Sequence, residues 1–352
     1  MVYLIRLSHP AVLSAMAGMT DGIFCRKFAE MGCGLVTLGG INADRETQKA
    51  AQSLLKRGRQ EFVFEDLTIW LKENIREARK AGSPVLVNIR SATVEGYVHA
   101  ATTIEKEGGW VEVNAHCRQA EMMEAGAGEA LLFHLNKLEK ILSTLRRKVT
   151  CPLFLKFRGN VCDEKKIVAI AEKYCDGIHV DAYKEGEKRL DLGVLQRISE
   201  TRLFKIANNG ITDVRNAEET YPYCDAFSFA RLSLTPKRVR HLLSKTTYCL
   251  FAYGTLTNRE KAEALVGHNV PMTDAILPDC MKKSLGGIYF AHRKKGEHIE
   301  GKLLRLELRD FIKLDKYEGV EFGMYERTCG DVLVEDKKAK AYVYIAGKKM
   351  RR

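Results

Sequence analysis

CPLFLKFRGNVCDEKKIVAIAEKYCDGIHVDAY, Cys151–Tyr183, holds a short apolar run, a helix-length amphipathic stretch and a second apolar run. Leu153–Phe157 and Gly177–Val180 read as strands, and the stretch between them is long enough for the helical crossover that parallel strands require. The same unit recurs outward in both directions. Val12–Met16, Leu35–Leu38, Val85–Ile89 and Trp110–Val113 precede it, and Phe204–Ala207 and Ala226–Phe229 follow it, mostly with amphipathic stretches between them. Strand and helix alternating eight times predict an α/β fold of the (β/α)8 TIM-barrel type. The active site of such a barrel lies at the C-terminal ends of its strands. There the chain offers Ala17-Gly18, Asn42, Asn88 with Arg90, Asn114 with His116 and Cys117, Lys156 with Arg158, Asp181, Asn208-Asn209-Gly210 and Arg231.

A chain of 352 residues exceeds one barrel of ordinary size and leaves room for a small second domain. The boundary is expected near Ser244–Thr247, after the basic helix-like stretch Pro236–Leu243, which divides the chain into residues 1–245 and 246–352. Beyond it the texture turns β-rich, with strands expected at Tyr248–Tyr253, Leu285–Phe290, Ile299–Leu306, Asp331–Glu335 and Ala341–Ile345. These predict a small mixed α/β or closed β-barrel domain. With 45% hydrophobic and 29% charged residues, and no apolar run near the roughly 20 residues that cross a bilayer, a cytoplasmic protein without membrane attachment is expected. His9-Pro10 interrupts the apolar N-terminus, so Ala11–Met16 reads as the first strand and not as part of a signal peptide. The ten cysteines form no CxxC pair, which argues against structural zinc, an iron–sulfur cluster or a disulfide scaffold, and no metal is expected. A net charge of +12, shared between the two parts, favours an acidic partner, with RNA first among them.

After the fourth strand the sequence is VEVNAHCRQAEMMEAGAGEALL, Val111–Leu132. It resembles the segment of the tRNA-dihydrouridine synthases that carries their catalytic cysteine, with an Asn three residues before it and Gly-Ala-Gly after it; Asn114, Cys117 and Gly126-Ala127-Gly128 fall on those positions. SAMAGMTDGIFCRKFAEMGCGLV, Ser14–Val36, resembles the family's opening strand and helix, whose backbone around Met16 and Ala17 contacts the flavin. CPLFLKFRGN places Lys156 at the flavin-contacting lysine, and IANNGI with FSFAR resembles the paired phosphate-binding loops. The resemblance spans residues 8–240 and implies FMN as cofactor, NAD(P)H as reductant and tRNA as substrate. It assigns cofactor contacts to Met16, Ala17, Asn88, Lys156, Asp181, Asn208, Asn209, Gly210, Ala230 and Arg231, and substrate contact to Asn114. Two departures bear on the substrate. The usual Asn-x-Gly-Cys-Pro is here Asn114-Ala115-His116-Cys117-Arg118, and Asp181 stands where a flavin-facing histidine is normal. The helical RNA-binding domain that follows the barrel in bacterial members is absent from this sequence.

Flavin chemistry explains why these residue types suit such a site. A lysine ammonium stabilises the negative charge that reduced flavin gathers near N1 and O2, and glycine and asparagine turns bring backbone N–H groups to a phosphate. Reduction of a uracil needs hydride at C6 and a proton at C5, which Cys117 would supply. In RNA the base must leave its stack to reach the pocket, with Arg90, Arg118 and Arg158 positioned to hold flanking phosphates. The plainer alternatives are a buried small cysteine at 117, a surface lysine at 156 and an Arg231 paired with a carboxylate.

The C-terminal part carries FAYGTLTN, Phe251–Asn258, a strand running into a glycine turn, and LDKYEGVEFGMYERTCGDVLV, Leu314–Val334. Together they resemble the γ-glutamylcyclotransferases, in which a YGS/YGT loop cradles the γ-glutamyl group and a glutamate acts as general base. The resemblance covers residues 248–346, puts Glu318 at the base, and gives Tyr253, Gly254, Thr255, Leu256 and Tyr325 contacts to a γ-glutamyl small molecule. Such a base takes an ammonium proton so that the amine can attack its own γ-carbonyl, a task suited to a desolvated carboxylate with a raised pKa. The alternative is that Glu318 caps a helix or pairs with Lys316 or Arg327. The leading expectation is an FMN-dependent enzyme that reduces uridine to 5,6-dihydrouridine in tRNA, fused to a γ-glutamylcyclotransferase-like domain. The competing ones are a flavin oxidoreductase acting on a small molecule, as in dihydroorotate dehydrogenases, a cyclotransferase with the barrel as scaffold, and an RNA-binding module.

Overall fold

LVTLGGIN and VLVNIR are apolar on both alternating faces, the pattern of parallel strands covered on each side, and both are buried along their whole length. In the computed structural model, which describes residues 5, 7–187, 189–285 and 288–350, they lie in a barrel of eight parallel strands. These are β1 (Ala11–Leu13), β2 (Leu35–Asn42), β3 (Val85–Arg90), β4 (Trp110–Ala115), β5 (Leu153–Arg158), β6 (Gly177–Asp181), β7 (Phe204–Asn208) and β8 (Ala226–Phe229). Each pairs with its neighbours in sequence, and β8 closes onto β1 through Ala11 opposite Phe227. The register stacks polar residues in levels inside the barrel. Asn88 lies opposite Glu112, Asn114 opposite Lys156, Lys156 opposite His179, and Asp181 opposite both Arg158 and Asn208.

The loops that leave the strand ends are fixed at the helices they enter. Asp21, Asp44, Asp66, Thr93, Asp163, Asp191 and Asp213 each accept a backbone N–H of the following first turn. Each such cap is worth about 0.5–2 kcal/mol. Asp44 does more, because its other oxygen accepts from Ala92 N at 2.7 Å, Thr93 N at 2.9 Å and the Ser91 hydroxyl at 2.7 Å, tying the loop after β2 to the loop after β3. One strand departs from expectation: β1 stops at Leu13 instead of reaching Met16. The carbonyl of Met16 accepts from Met19 N and Thr20 N, both at 3.0 Å, so the chain turns there and leaves the sheet.

The second unit begins at Ser244. Its strands are β9 (Tyr248–Ala252), β10 (Met272–Leu285), β11 (Ile288–Leu306), β12 (Tyr325–Val334) and β13 (Lys337–Ala346), closed in the order β9-β11-β10-β12-β13. The expected strand Leu285–Phe290 straddles the end of β10 and the start of β11, with residues 286–287 outside the described ones. The long β10 escaped the reading because half of TDAILPDCMKKS is polar and exposed, which hides the apolar alternation of a strand. Helices Arg259–Val266 and Leu308–Tyr317 pack Val266, Phe311 and Leu314 against Leu250, Leu304 and Tyr344. Gly301 is required where β11 crosses β9, since a Cβ there would meet the Ala252 carbonyl oxygen at 2.2 Å. Among the described residues, no helix is long and apolar enough to cross a membrane.

Candidate active sites

The C-terminal rim of the first barrel encloses a cavity of about 560 Å³. Ala17, Asn88, Asn114, Cys117, Lys156, Asp181, Asn208, Asn209, Gly210, Ala230 and Arg231 all line it, and with Gly40 of β2 the rim gathers residues from all eight strands or the loops that leave them. Met16 does not line it. Its N–H donates to Thr20 Oγ1 at 2.9 Å, and the turn that ends β1 presents Ser14, Ala15 and Ala17 in its place.

Lys156 reaches the cavity from β5 with only 2% of its surface exposed, and its ammonium donates to Ser14 Oγ at 2.6 Å. Burial pushes its pKa down, against the attraction of Glu112 and Asp181. Below it runs a chain of buried polar groups. Asn114 Nδ2 donates to Asn88 Oδ1 at 2.8 Å, and Asn88 Nδ2 donates to Glu112 Oε1 at 2.6 Å. His179 then bridges Glu112 Oε2 and Ser228 Oγ, each at 2.7 Å, and Ser228 meets Asn208 Oδ1 at the same distance. Burial, with Lys156 nearby, pushes His179 down to about 4 against the pull of Glu112. A histidine with a folded pKa below its unfolded value contributes stability that is complete above about pH 6.5 and lost as pH falls toward 4. The barrel's melting temperature is therefore expected to drop across that window, by the equivalent of roughly 3 kcal/mol, and His179→Gln should flatten the slope. Thermal melts at pH 7, 5.5 and 4 check this.

Asn114 also shapes the loop that carries the cysteine, since its Oδ1 accepts from His116 N at 3.0 Å and Cys117 N at 2.9 Å. Gly128 sits under that loop with φ +62°, and a Cβ there would meet the Cys117 carbonyl oxygen at 2.3 Å. Cys117 Sγ is 3.7 Å from Arg90 Nη1. Arg90 is buried and bound to Glu61 and to the Gly40 carbonyl, so it is committed inside the protein and not available as the phosphate holder that the sequence suggested. Arg158 is largely buried as well, 4.0 Å from Asp181 and 3.9 Å from Glu129.

Asp181 is turned toward His116, whose Nε2 lies 2.8 Å from Oδ2, and Asn209 Nδ2 donates to Oδ1 at 2.9 Å. Burial raises this carboxyl, but His116, Asn209 and Arg158 together outweigh it and hold it at about 2. Asn209 and Gly210 have φ of +73° and +75°. That conformation opens the turn after β7 beside Ala230 and Arg231 of the eighth loop. Sequence reasoning missed Ser14, Glu112, Ser228 and Glu61. Glu112 was signalled by its alternation with Asn114 in VEVN, but Ser14 and Ser228 carry no distinguishing pattern.

The second unit holds a cavity of about 450 Å³ lined by Tyr253, Gly254, Thr255, Leu256, Glu318 and Tyr325, all as expected, together with Ile288, Tyr289, Tyr317 and Tyr344. Glu318 follows helix Leu308–Tyr317 and its N–H continues the helix to Leu314 O at 2.8 Å, while Gly319 takes φ +63° and turns the chain away. Arg327 is engaged elsewhere, 3.5 Å from Asp315 and over the Phe311 ring. Among the described residues no side chain pairs with the Glu318 carboxylate, and burial pushes it up to about 7. Tyr253 donates to Tyr344 O and accepts from Ala291 N, which holds its ring at the mouth of the glycine turn.

Residues 13–180 match the family described as dihydrouridine synthase (Dus), and residues 250–352 match gamma-glutamyl cyclotransferase, AIG2-like. An uncharacterized protein of Methanocaldococcus jannaschii is 36% identical over 236 residues, 65% of this chain and 91% of that protein. The catalytic subunit of dihydroorotate dehydrogenase B (NAD(+)) of Thermoplasma acidophilum is 29% identical over 104 residues, 29% of this chain and 33% of that protein. A solved gamma-glutamyl cyclotransferase is 21% identical, with a TM-score of 0.26, over 28% of this chain and 66% of that one. The chain belongs to the family of the Methanocaldococcus protein, and joins a barrel that matches the dihydrouridine synthase family over residues 13–180 to a domain that matches gamma-glutamyl cyclotransferase, AIG2-like, over residues 250–352.

Proposed function

We propose that the barrel is an FMN-dependent reductase that converts uridine to 5,6-dihydrouridine in tRNA with NAD(P)H as reductant, and that the second domain is a γ-glutamylcyclotransferase. The observation that carries the first reading is one cavity lined both by a buried lysine ammonium and by the thiol of Cys117. The residues present fit the cofactor. A buried cation whose one hydrogen-bonded side chain among the described residues is a serine suits an electron-rich ring, and the turns at Asn209-Gly210 and Ala230-Arg231 suit a phosphate. When bound, the flavin supplies the hydride. The protein's own groups do the rest: Lys156 balances charge, Asn88 and Asn114 orient, and Cys117 holds the proton for the carbon. The flavin oxidoreductases acting on small pyrimidines remain a second reading, supported by the match to a dihydroorotate dehydrogenase subunit.

The test is the visible spectrum of the purified protein, with the released chromophore identified. Stoichiometric FMN, or FMN taken up on addition, supports the reductase; a colourless protein that takes up none overturns it. Dihydrouridine appearing in a tRNA transcript treated with the loaded enzyme separates the two substrates. Lys156→Met keeps the stem and removes the charge. It is expected to weaken FMN about 10- to 100-fold, the worth of one hydrogen bond to a charged group, in a fluorescence titration.

A further inference from the structure

The cavity that holds Glu318 is walled by aromatic carbon more than by charge. Tyr253 donates to the Tyr344 carbonyl and accepts from Ala291 N at 3.0 Å, Tyr344 donates to Asp315 Oδ1 at 2.7 Å, and Tyr325 donates to the Tyr289 carbonyl. The hydroxyls of three lining tyrosines are thus bound to other protein groups, and their rings are what a ligand meets. Among the described residues that line the cavity none is a lysine, arginine or histidine, and Glu318 carries the one carboxylate. Its mouth is apolar and open to water, with Ile288 41% exposed and Tyr289 and Tyr317 each 51% exposed. Apolar surface left in water around a cavity marks a place that a ligand covers.

Resting on the reading of this domain as a γ-glutamylcyclotransferase, we propose that Ile288, Tyr289 and Tyr317 form a leaving-group subsite that selects γ-glutamyl conjugates of uncharged aromatic or alkyl amines. The glycine turn and Glu318 take the γ-glutamyl part, and the substituent on the leaving nitrogen lies against the three apolar side chains at the mouth. A carboxylate on that substituent, as in a γ-glutamyl amino acid, would shed water and gain no cation among the described lining residues. A second ammonium would compete with the substrate's own for Glu318, and would meet Lys282, whose ammonium already lies 4.3 Å from the centre of the Tyr289 ring. An aryl or alkyl group carries neither cost and buries apolar surface. In the ring closure the α-nitrogen bonds to the γ-carbonyl carbon, the bond from that carbon to the leaving nitrogen breaks, and the amine departs with the proton that Glu318 removed. Nothing is oxidised or reduced.

The subsite is built from two elements that meet only in the fold. Ile288 and Tyr289 open β11, and Tyr317 ends the helix that Glu318 follows. Tyr325 of β12 pins the first of these at the cavity through the Tyr289 carbonyl. Because that bond uses the backbone of Tyr289, replacing its side chain leaves the bond in place. Both tyrosine rings are half exposed, so their removal tests recognition with little cost to the core.

Calorimetric titration of the full-length Glu318→Gln protein compares binding without turnover for γ-glutamylbenzylamide, γ-glutamylglycine and the γ-glutamyl conjugate of diaminopentane. The benzylamide should bind about 10- to 100-fold more tightly than either charged conjugate, the worth of burying one aromatic ring. Adding Tyr289→Ala or Tyr317→Ala should weaken the benzylamide by about fivefold or more and γ-glutamylglycine by less than about twofold. Equal affinities, tighter binding of a charged conjugate, or no binding of any of them overturn the subsite. So does an equal loss on every ligand in the tyrosine variants, which is the signature of side chains that only support the domain. Unchanged benzylamide affinity in those variants overturns it too, and leaves the exposed rim as a surface for another chain. Failure of the underlying reading looks different: the preference for the benzylamide would hold while the wild type released 5-oxoproline from none of the conjugates.

Discussion

Glu318→Gln is expected to lower the release of 5-oxoproline from γ-glutamyl amines by about 10²- to 10⁴-fold, the usual worth of a positioned general base. Glutamine keeps the size of the side chain and loses the only carboxylate among the described residues that line the cavity. For the wild type, kcat/KM should rise with pH and reach half its plateau near pH 7, because burial lifts Glu318 to about 7 and only the ionised form accepts the ammonium proton. Stability runs the other way. A carboxyl whose folded pKa lies above its unfolded value contributes stability that is present below about pH 4.5 and lost as pH rises through 7. At pH 8 the variant should therefore melt higher than the wild type, by up to roughly 3 kcal/mol. Activity assays and melts on the same two proteins check both signs. A variant that turns over normally would remove Glu318 from the chemistry.

Cys117→Ala should lower dihydrouridine formation by about 10²- to 10⁴-fold while leaving FMN binding and its reduction by NAD(P)H unchanged. The reason is positional. Cys117 hangs on a loop fixed by Asn114 and Gly128, while the groups suited to the cofactor come from other strand ends, above all Lys156 and the turns at Asn209-Gly210 and Ala230-Arg231. Stopped-flow reduction of the bound flavin and mass spectrometry of the product nucleoside separate the two half-reactions. Slow flavin reduction in the variant would show that the cysteine serves the cofactor instead of the substrate.

Much of the first site was readable because strand-end residues in a barrel converge whatever their separation in sequence. Lys156, Asp181 and Asn208 are far apart along the chain, yet the parallel register sets Asp181 opposite Asn208 and Lys156 opposite His179. What failed were statements about where a side chain turns after its strand ends. Met16 was expected at the flavin and is drawn back by Thr20, and Arg90 was expected on a phosphate and is bound to Glu61. In the second domain the cavity residues were legible because the YGT turn and the stretch around Glu318 are short local motifs. Ile288 and Tyr289 were not, because they arrive from a hairpin whose polar first arm hides its strand pattern.

The sequence by itself determined that this chain is an eight-fold alternation of strand and helix followed by a β-rich domain, because periodicity and apolar runs are local and each element carries its own signal. It also determined which residues sit at strand ends and glycine turns. Only the tertiary structure decided which of those polar groups are spent on one another. Burial forces each into a partnership, Glu112 with His179, Arg90 with Glu61 and Asp181 with His116. The partner in each case is a long-range neighbour that no local pattern names.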